Sequence, residues 1–210
     1  KGDEQAITCV CAHLKHAHGY VREAALWALT EVAESGNERA ITAFCACLGD
    51  EEKGVRQVTL WSLTQVAKKG DERAITGVCT CLEDEQRDVR KTALWALAQV
   101  AEKDDKRAIT GVCARLEDQE SHVRMAALWA LAQLTDRGDE QAITVVCARL
   151  EDEQRHVREA AVSALAKVAE KGDERAISDV CARLEHVHEY AREAAVLALT
   201  EVAESGNERA

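Results

Sequence analysis

Proline is absent from this 210-residue chain, and apart from four Trp and two Tyr there is a single Phe and a single Met. Ala, Glu, Leu and Val dominate instead, a composition that favours helix. No apolar run approaches the roughly 20 residues that a membrane-spanning helix needs. No signal peptide is visible, and a start at Lys1 without Met reads as a trimmed or recombinant end. A basic excess is lacking too: the formal net charge is -11, which argues against a phosphate-binding surface and so against nucleic acid. No Ser-His-Asp set, paired carboxylates or glycine-rich phosphate loop stands out, so the expectation is a protein that is not an enzyme and carries no cofactor.

What the chain does have is a period. Equivalent blocks begin at Gly2, Gly36, Gly70, Asp104, Gly138 and Gly172, 34 residues apart each time, and a partial block begins at Gly206. A fixed period of this length marks a solenoid. The chain is therefore read as one all-α solenoid over 1–210, with repeats 2–35, 36–69, 70–103, 104–137, 138–171 and 172–205 and a stub at 206–210.

Each block predicts two helices. Asp3, Asn37, Asp71, Asp105, Asp139 and Asp173 stand where an N-cap belongs, and the preceding Gly suits a left-handed residue ending the previous helix. Asp104 replaces that Gly once, and Asp tolerates the left-handed region better than most residues. In the third block Ala74, Ile75, Val78, Cys79 and Leu82 form the apolar face of the first helix, "EDEQRD" reads as a loop, and a second helix starts near Val89. On that helix Val89, Ala93, Ala96, Leu97 and Val100 share one face, and Lys91, Ala98, Gln99 and Glu102 the other. One block cannot bury both stripes alone, so stacking must do it.

"GDERAI" followed by "LEDEQRDVRKTALWAL" resembles the HEAT-like repeat family, including its phycobilin-lyase-type members and artificial proteins built from them. The resemblance covers the whole chain and implies a right-handed α-solenoid with the second helices on its concave face. It also implies a ladder between stacked repeats, from the helix Arg (Arg22, Arg56, Arg90, Arg124, Arg158, Arg192) to the loop Asp (Asp50, Asp84, Asp118, Asp152). His16 and His186 replace that Asp in blocks one and six. Three residues around "VAEK" exceed the shorter repeats of the family and are expected to extend the second helix by most of a turn. Tetratricopeptide repeats share the period but need a Trp-Leu-Gly-Tyr pattern and a proline, and the DNA-reading effector repeats need a basic interior; neither fits.

Nine cysteines are many for this length. Cys11, Cys45, Cys79, Cys113, Cys147 and Cys181 share one repeat position, and Cys9, Cys47 and Cys81 add Cys-X-Cys pairs. Residues i and i+2 of a helix point apart, and equivalent positions of stacked helices lie roughly 8–10 Å apart, so neither a metal grip nor a disulfide is expected. Cysteine is read as a small core hydrophobe in a reducing, cytoplasmic compartment. "HLKHAHGY" (His13, His16, His18, Tyr20) and "EHVHEY" (His186, His188, Tyr190) offer His-X-His in the inter-helix loop, but two ligands do not close a site, and no metal is assigned.

Those two motifs reveal a longer duplication. Block six resembles block one, and Thr30–Ala40 recurs as Thr200–Ala210, five periods on. No capping repeat with a polar outer face is evident, so end-to-end or side-by-side self-association is expected.

Trp27, Trp61, Trp95 and Trp129 share one position, filled by Ser163 and Leu197 in the last two blocks. On the wheel it lies near ~240°, among Glu, Gln and Lys. Four indoles spaced roughly 8–10 Å apart would anchor a partner, or each would pack across the next helix; one ring can do both. The candidate partner-binding residues are these four with Lys91, Met125, Gln65, Gln99 and Gln133, beside Glu23 and Gln57. The first functional reading is a non-catalytic protein-binding scaffold, whose partner is an extended peptide or protein with basic and apolar groups. An architectural or designed array without a dedicated partner is the second. A pigment-handling protein like the phycobilin lyases is the third, implied by the resemblance alone.

Overall fold

A computed structural model describes residues 2–203, and the stub at 206–210 lies outside them. Among these residues there are twelve α-helices. They are α1 (Glu4–Cys11), α2 (Gly19–Val32), α3 (Glu38–Cys47), α4 (Lys53–Val66), α5 (Glu72–Thr80), α6 (Arg87–Val100), α7 (Lys106–Ala114), α8 (Ser121–Leu134), α9 (Glu140–Ala148), α10 (Arg155–Val168), α11 (Glu174–Cys181) and α12 (Glu189–Val202). They sort into two compact units, divided between Gly111 and Val112.

In the first unit α2 packs on α4 and α4 on α6, while α3 packs on α5. In the second, α8 packs on α10, α10 on α12, and α9 on α11. Within each unit the hairpins therefore stack in sequence order, as the period requires. Leu26, Leu60, Leu94 and Leu128 occupy one repeat position and are fully buried. Each such side chain contributes about 2 kcal/mol by leaving water.

The first helices start as expected. Asp3, Asn37, Asp71, Asp105, Asp139 and Asp173 each accept the N–H of the Ala three residues on, at 2.7–3.0 Å. Val89, Ala93, Ala96, Leu97 and Val100 are buried, as are Ala74, Ile75, Val78 and Leu82.

Three local expectations are corrected. The predicted loop "EDEQRD" is shorter, because Glu83 closes a 3-10 turn (Cys81–Glu83) and α6 already begins at Arg87. The "VAEK" residues add no helical turn: α6 stops at Val100 and Ala101 is extended, with ψ 148. The glycines do not end the helix either. Gly36, at φ 79, is the third residue of a turn closed by the N–H of Asn37 donating to Glu34 O at 3.0 Å, which demands a left-handed residue there. Its own N–H donates to Val66 O at 2.6 Å, satisfying an end carbonyl of α4 in the same hairpin. Asp104 adopts the same left-handed conformation, with φ 59.

The ladder is present in both units. Arg22 donates to both carboxylate oxygens of Asp50 at 2.6 and 2.7 Å, Arg56 to those of Asp84 at 2.6 and 2.9 Å, and Arg124 to those of Asp152 at 2.7 and 2.8 Å. Such two-point contacts are charge-assisted and fix geometry. The third nitrogen turns inward: Nη1 of Arg56 donates to Asp50 O and Glu51 O of its own loop. Asp50 also accepts the N–H of Glu52 at 2.9 Å, so one carboxylate shapes its loop and ties two repeats.

The histidine replacements keep half of that role. His16 Nδ1 accepts the N–H of His18, and His186 Nδ1 that of His188, each at 3.1 Å. The loop survives, and the anion for the neighbouring Arg is lost.

Candidate functional site

Unit one carries Trp27, Trp61 and Trp95 on the matching turn of α2, α4 and α6. Trp27 is 45% and Trp95 37% exposed, while Trp61 is half-buried. The rings of Trp27 and Trp61 lie 4.4 Å apart, tilted by 46°. The expected 8–10 Å step is thus corrected for this pair: the indoles lean together across the gap between their helices. The two rings touch each other and still meet solvent.

The flanking residues fall on the same helical stripe, one turn to either side of each indole. Gln65 and Gln99 are exposed, and Glu23, Gln57 and Lys91 half-buried. Gln57 reaches Thr92 Oγ1 on α6 at 3.5 Å, and Lys91 lies 3.9 Å from Asp88. In unit two Trp129 is 37% exposed, with Met125 and Gln133 half-buried beside it on α8. Ser163 and Leu197 continue that position on α10 and α12, both exposed.

Sequence reasoning missed a cleft of ≈ 340 Å³ between α10 and α12, lined by Arg155, Arg158, Glu159, Tyr190, Glu193 and Leu197 among others. Arg158, whose position faces His186 rather than an Asp carboxylate in the next repeat, places its guanidinium 4.5 Å from the centre of the Tyr190 ring. Tyr190 stacks in turn on His188 at 5.0 Å. The signal was visible as a tyrosine two residues after each His-X-His, but nothing in one sequence links it to an Arg 32 residues earlier. Also passed over was the His122–His156 pair, with ring centres 4.9 Å apart.

The cysteines correct one expectation. Cys47, Cys81 and Cys147 are buried, but most of the shared position is only half-buried (Cys11, Cys45, Cys79, Cys113), and Cys9 and Cys181 are exposed. Position 12 of the block, which holds Cys47 and Cys81, is buried, whereas Cys11, Cys45, Cys79 and Cys113, two residues earlier in their blocks, stay partly exposed. Burial pushes the Cys47 and Cys81 thiols up to about 11 and Cys147 to about 12, so all three stay protonated at neutral pH. Among the described residues no helix is long and apolar enough to cross a membrane.

The sequence profile of HEAT repeats matches residues 50–132, 75–166 and 109–200. The chain belongs to the HEAT-repeat family. Its fold, an all-helical repeat solenoid, is shared with solved structures of low identity. A designed armadillo repeat protein in complex with the peptide (KR)4 has 21% identity and a TM-score of 0.63, covering 93% of this chain and 99% of that one. An engineered protein has 17% identity and a TM-score of 0.61, covering 95% and 99%. Computationally designed armadillo repeat proteins for modular peptide recognition give 18% and 0.58, covering 93% and 99%. No curated protein matches the chain.

Proposed function

We propose that this HEAT-repeat chain is a non-catalytic protein-binding scaffold whose second helices take an extended peptide with basic and apolar side chains. The observation that carries the reading is the Trp27–Trp61 pair, two large rings in contact yet left open to solvent on a stripe with Glu23 and Glu31. Open indole faces attract guanidinium and ammonium groups and bury their alkyl stems. The chain's excess of carboxylates, with a net charge of -11, draws a cationic segment toward the surface. Lys91 and Met125 interrupt the acidic and amide positions and would favour an apolar or acidic side chain opposite them. Gln65 and Gln99 in unit one, and Gln133 in unit two, each carry a side-chain amide that suits both the donors and the acceptors of an extended backbone. A solenoid of related fold is in complex with (KR)4, which shows that such a fold accommodates a peptide of this chemistry.

The test is fluorescence anisotropy of a labelled (Lys-Arg)4 peptide titrated with the chain and with a Trp27→Ala/Trp61→Ala variant. The double variant should keep its helical circular dichroism and lose at least ~30-fold in affinity, the scale of one interface anchor. Unchanged affinity would assign the indoles to packing alone.

A further inference from the structure

The cleft between α10 and α12 opens where other repeats are filled. Between α2 and α4, four repeat positions hold Leu26, Trp27, Val58 and Trp61. Between α10 and α12 the same positions hold Val162, Ser163, Ala194 and Leu197, each of them smaller. The first pair of helices brings two indoles to 4.4 Å, whereas the last pair leaves a space of ≈ 340 Å³ lined by Val162, Ala194 and Leu197. Small-ligand pockets begin at about 300 Å³. Both walls are described residues of unit two, so the space belongs to the contact of α10 with α12 itself.

The cleft carries charges of both signs, and one of each is unmatched. Arg155 pairs with Glu159 at 2.8 Å. Arg124, one repeat before Arg158, holds Asp152 through Nε and Nη2. Arg158 donates only through Nη1, to Asp152 O and Glu153 O, and its Nε and Nη2 meet no acceptor among the described residues. Its guanidinium lies over the Tyr190 ring, and a stacked guanidinium keeps its in-plane N–H edge free for a carboxylate. On the α12 wall, Glu193 makes no hydrogen bond or ion pair among the described residues.

We propose that this cleft binds a free aromatic α-amino acid, with tryptophan as its best-fitting member. The ring enters the space that an indole fills in other repeats and lies against Val162, Ala194 and Leu197. The α-carboxylate meets the open N–H edge of Arg158, and the α-ammonium meets Glu193. The balance of charge selects a zwitterion: an aromatic acid without the ammonium would face Glu193 with like charge, and an aromatic amine would do the same to Arg158. A short aliphatic amino acid makes both charged contacts and leaves the apolar wall wet. The cleft is small and open, so the dissociation constant is expected on the order of 1 mM. The inference does not depend on peptide binding at the indoles of unit one.

Saturation-transfer NMR of L-tryptophan with the full chain tests it. Binding should saturate, and indole-3-propionate, tryptamine and N-acetyltryptophanamide should each bind roughly tenfold more weakly. Leu197→Trp restores the residue that blocks one to four carry, so the fold should tolerate it, as circular dichroism would confirm, and it should abolish binding by filling the cleft. His186→Asp offers Arg158 an internal carboxylate and should weaken binding roughly tenfold. Glu193→Gln should weaken tryptophan and spare indole-3-propionate. Trp27→Ala/Trp61→Ala should bind tryptophan as the wild type does. No saturable binding of tryptophan, or a folded Leu197→Trp variant that binds it unchanged, would overturn the proposal. N-acetyltryptophanamide binding as tightly as tryptophan would overturn it too, by showing a pocket for a peptide side chain instead.

Discussion

The guanidinium of Arg158 lies 4.5 Å above the ring of Tyr190, at the repeat position where Arg124 meets the carboxylate of Asp152. One array thus joins its hairpins by two chemistries. Both leave the inward hydrogen bonds of the arginine untouched: Arg158 donates to Asp152 O and Glu153 O, as Arg124 does to Asp118 O and Gln119 O.

Replacing His186 with Asp should convert the stacked junction into a carboxylate rung. The new side chain can accept the His188 N–H, as Asp152 accepts that of Gln154 at 2.9 Å, and face Arg158. The expected gain is about 1 kcal/mol, since a two-point contact at a half-exposed site is only partly screened. Amide exchange of α12 reports it. Slower exchange is the expected result, and faster exchange would show that the ring holds Arg158 better.

Acid should loosen the rungs. Burial alone would push the Asp50 and Asp152 carboxyls up, but hydrogen bonds from Arg22 and Arg124, from the N–H groups of Glu52 and Gln154, and nearby arginine charge together outweigh it and hold both below the ordinary range. A carboxyl lowered in the folded state stabilises fully above its unfolded pKa, and that contribution is lost as pH falls through the folded value. Asp152→Asn should therefore cost about 2 kcal/mol at neutral pH, less than for a fully dry pair, and should flatten the acid limb of stability. Urea melts across the acid range measure this; parallel limbs for wild type and variant would contradict it.

Much of this was legible in the sequence because repetition multiplies a weak signal. A single Asp before a helix says little, but six in one register define caps that the structure places within hydrogen-bond reach. The rungs were read from family resemblance, and the distances bear them out in both units. What escaped depends on chain direction after an element ends. Nothing local to Val32–Ser35 distinguishes another helical turn from the extended Ala33 that lets Gly36 reach Val66 O. The indole separation escaped for a different reason: a wheel places Cβ atoms, whereas rotamers decide whether rings on neighbouring helices lean together or apart.

Thiol reactivity should follow burial. Cys9 and Cys181 are exposed and should react quickly with an aromatic disulfide reagent at neutral pH. Cys47, Cys81 and Cys147, raised to about 11, about 11 and about 12, should react only on unfolding. Mass spectrometry of a timed labelling series reads the order, and early labelling of Cys147 would show that its site opens.

Two glycines should behave differently. Gly36 sits at φ 79, and a Cβ there would lie 2.5 Å from Lys68 Cε, so Gly36→Ala should destabilise by about 1–2 kcal/mol. Gly49 has no positive φ and open space around it, so Gly49→Ala should change stability little. Equal effects on the melting midpoint would contradict the turn assignment.

The location of the peptide is tested most directly by the four indole N–H signals in a nitrogen–proton correlation spectrum of the chain titrated with (Lys-Arg)4. The account predicts that the signals of Trp27 and Trp61, assigned by single Trp→Phe variants, shift in a saturable way with the bound fraction. Saturable binding that leaves both signals unmoved, or the absence of binding, would contradict it.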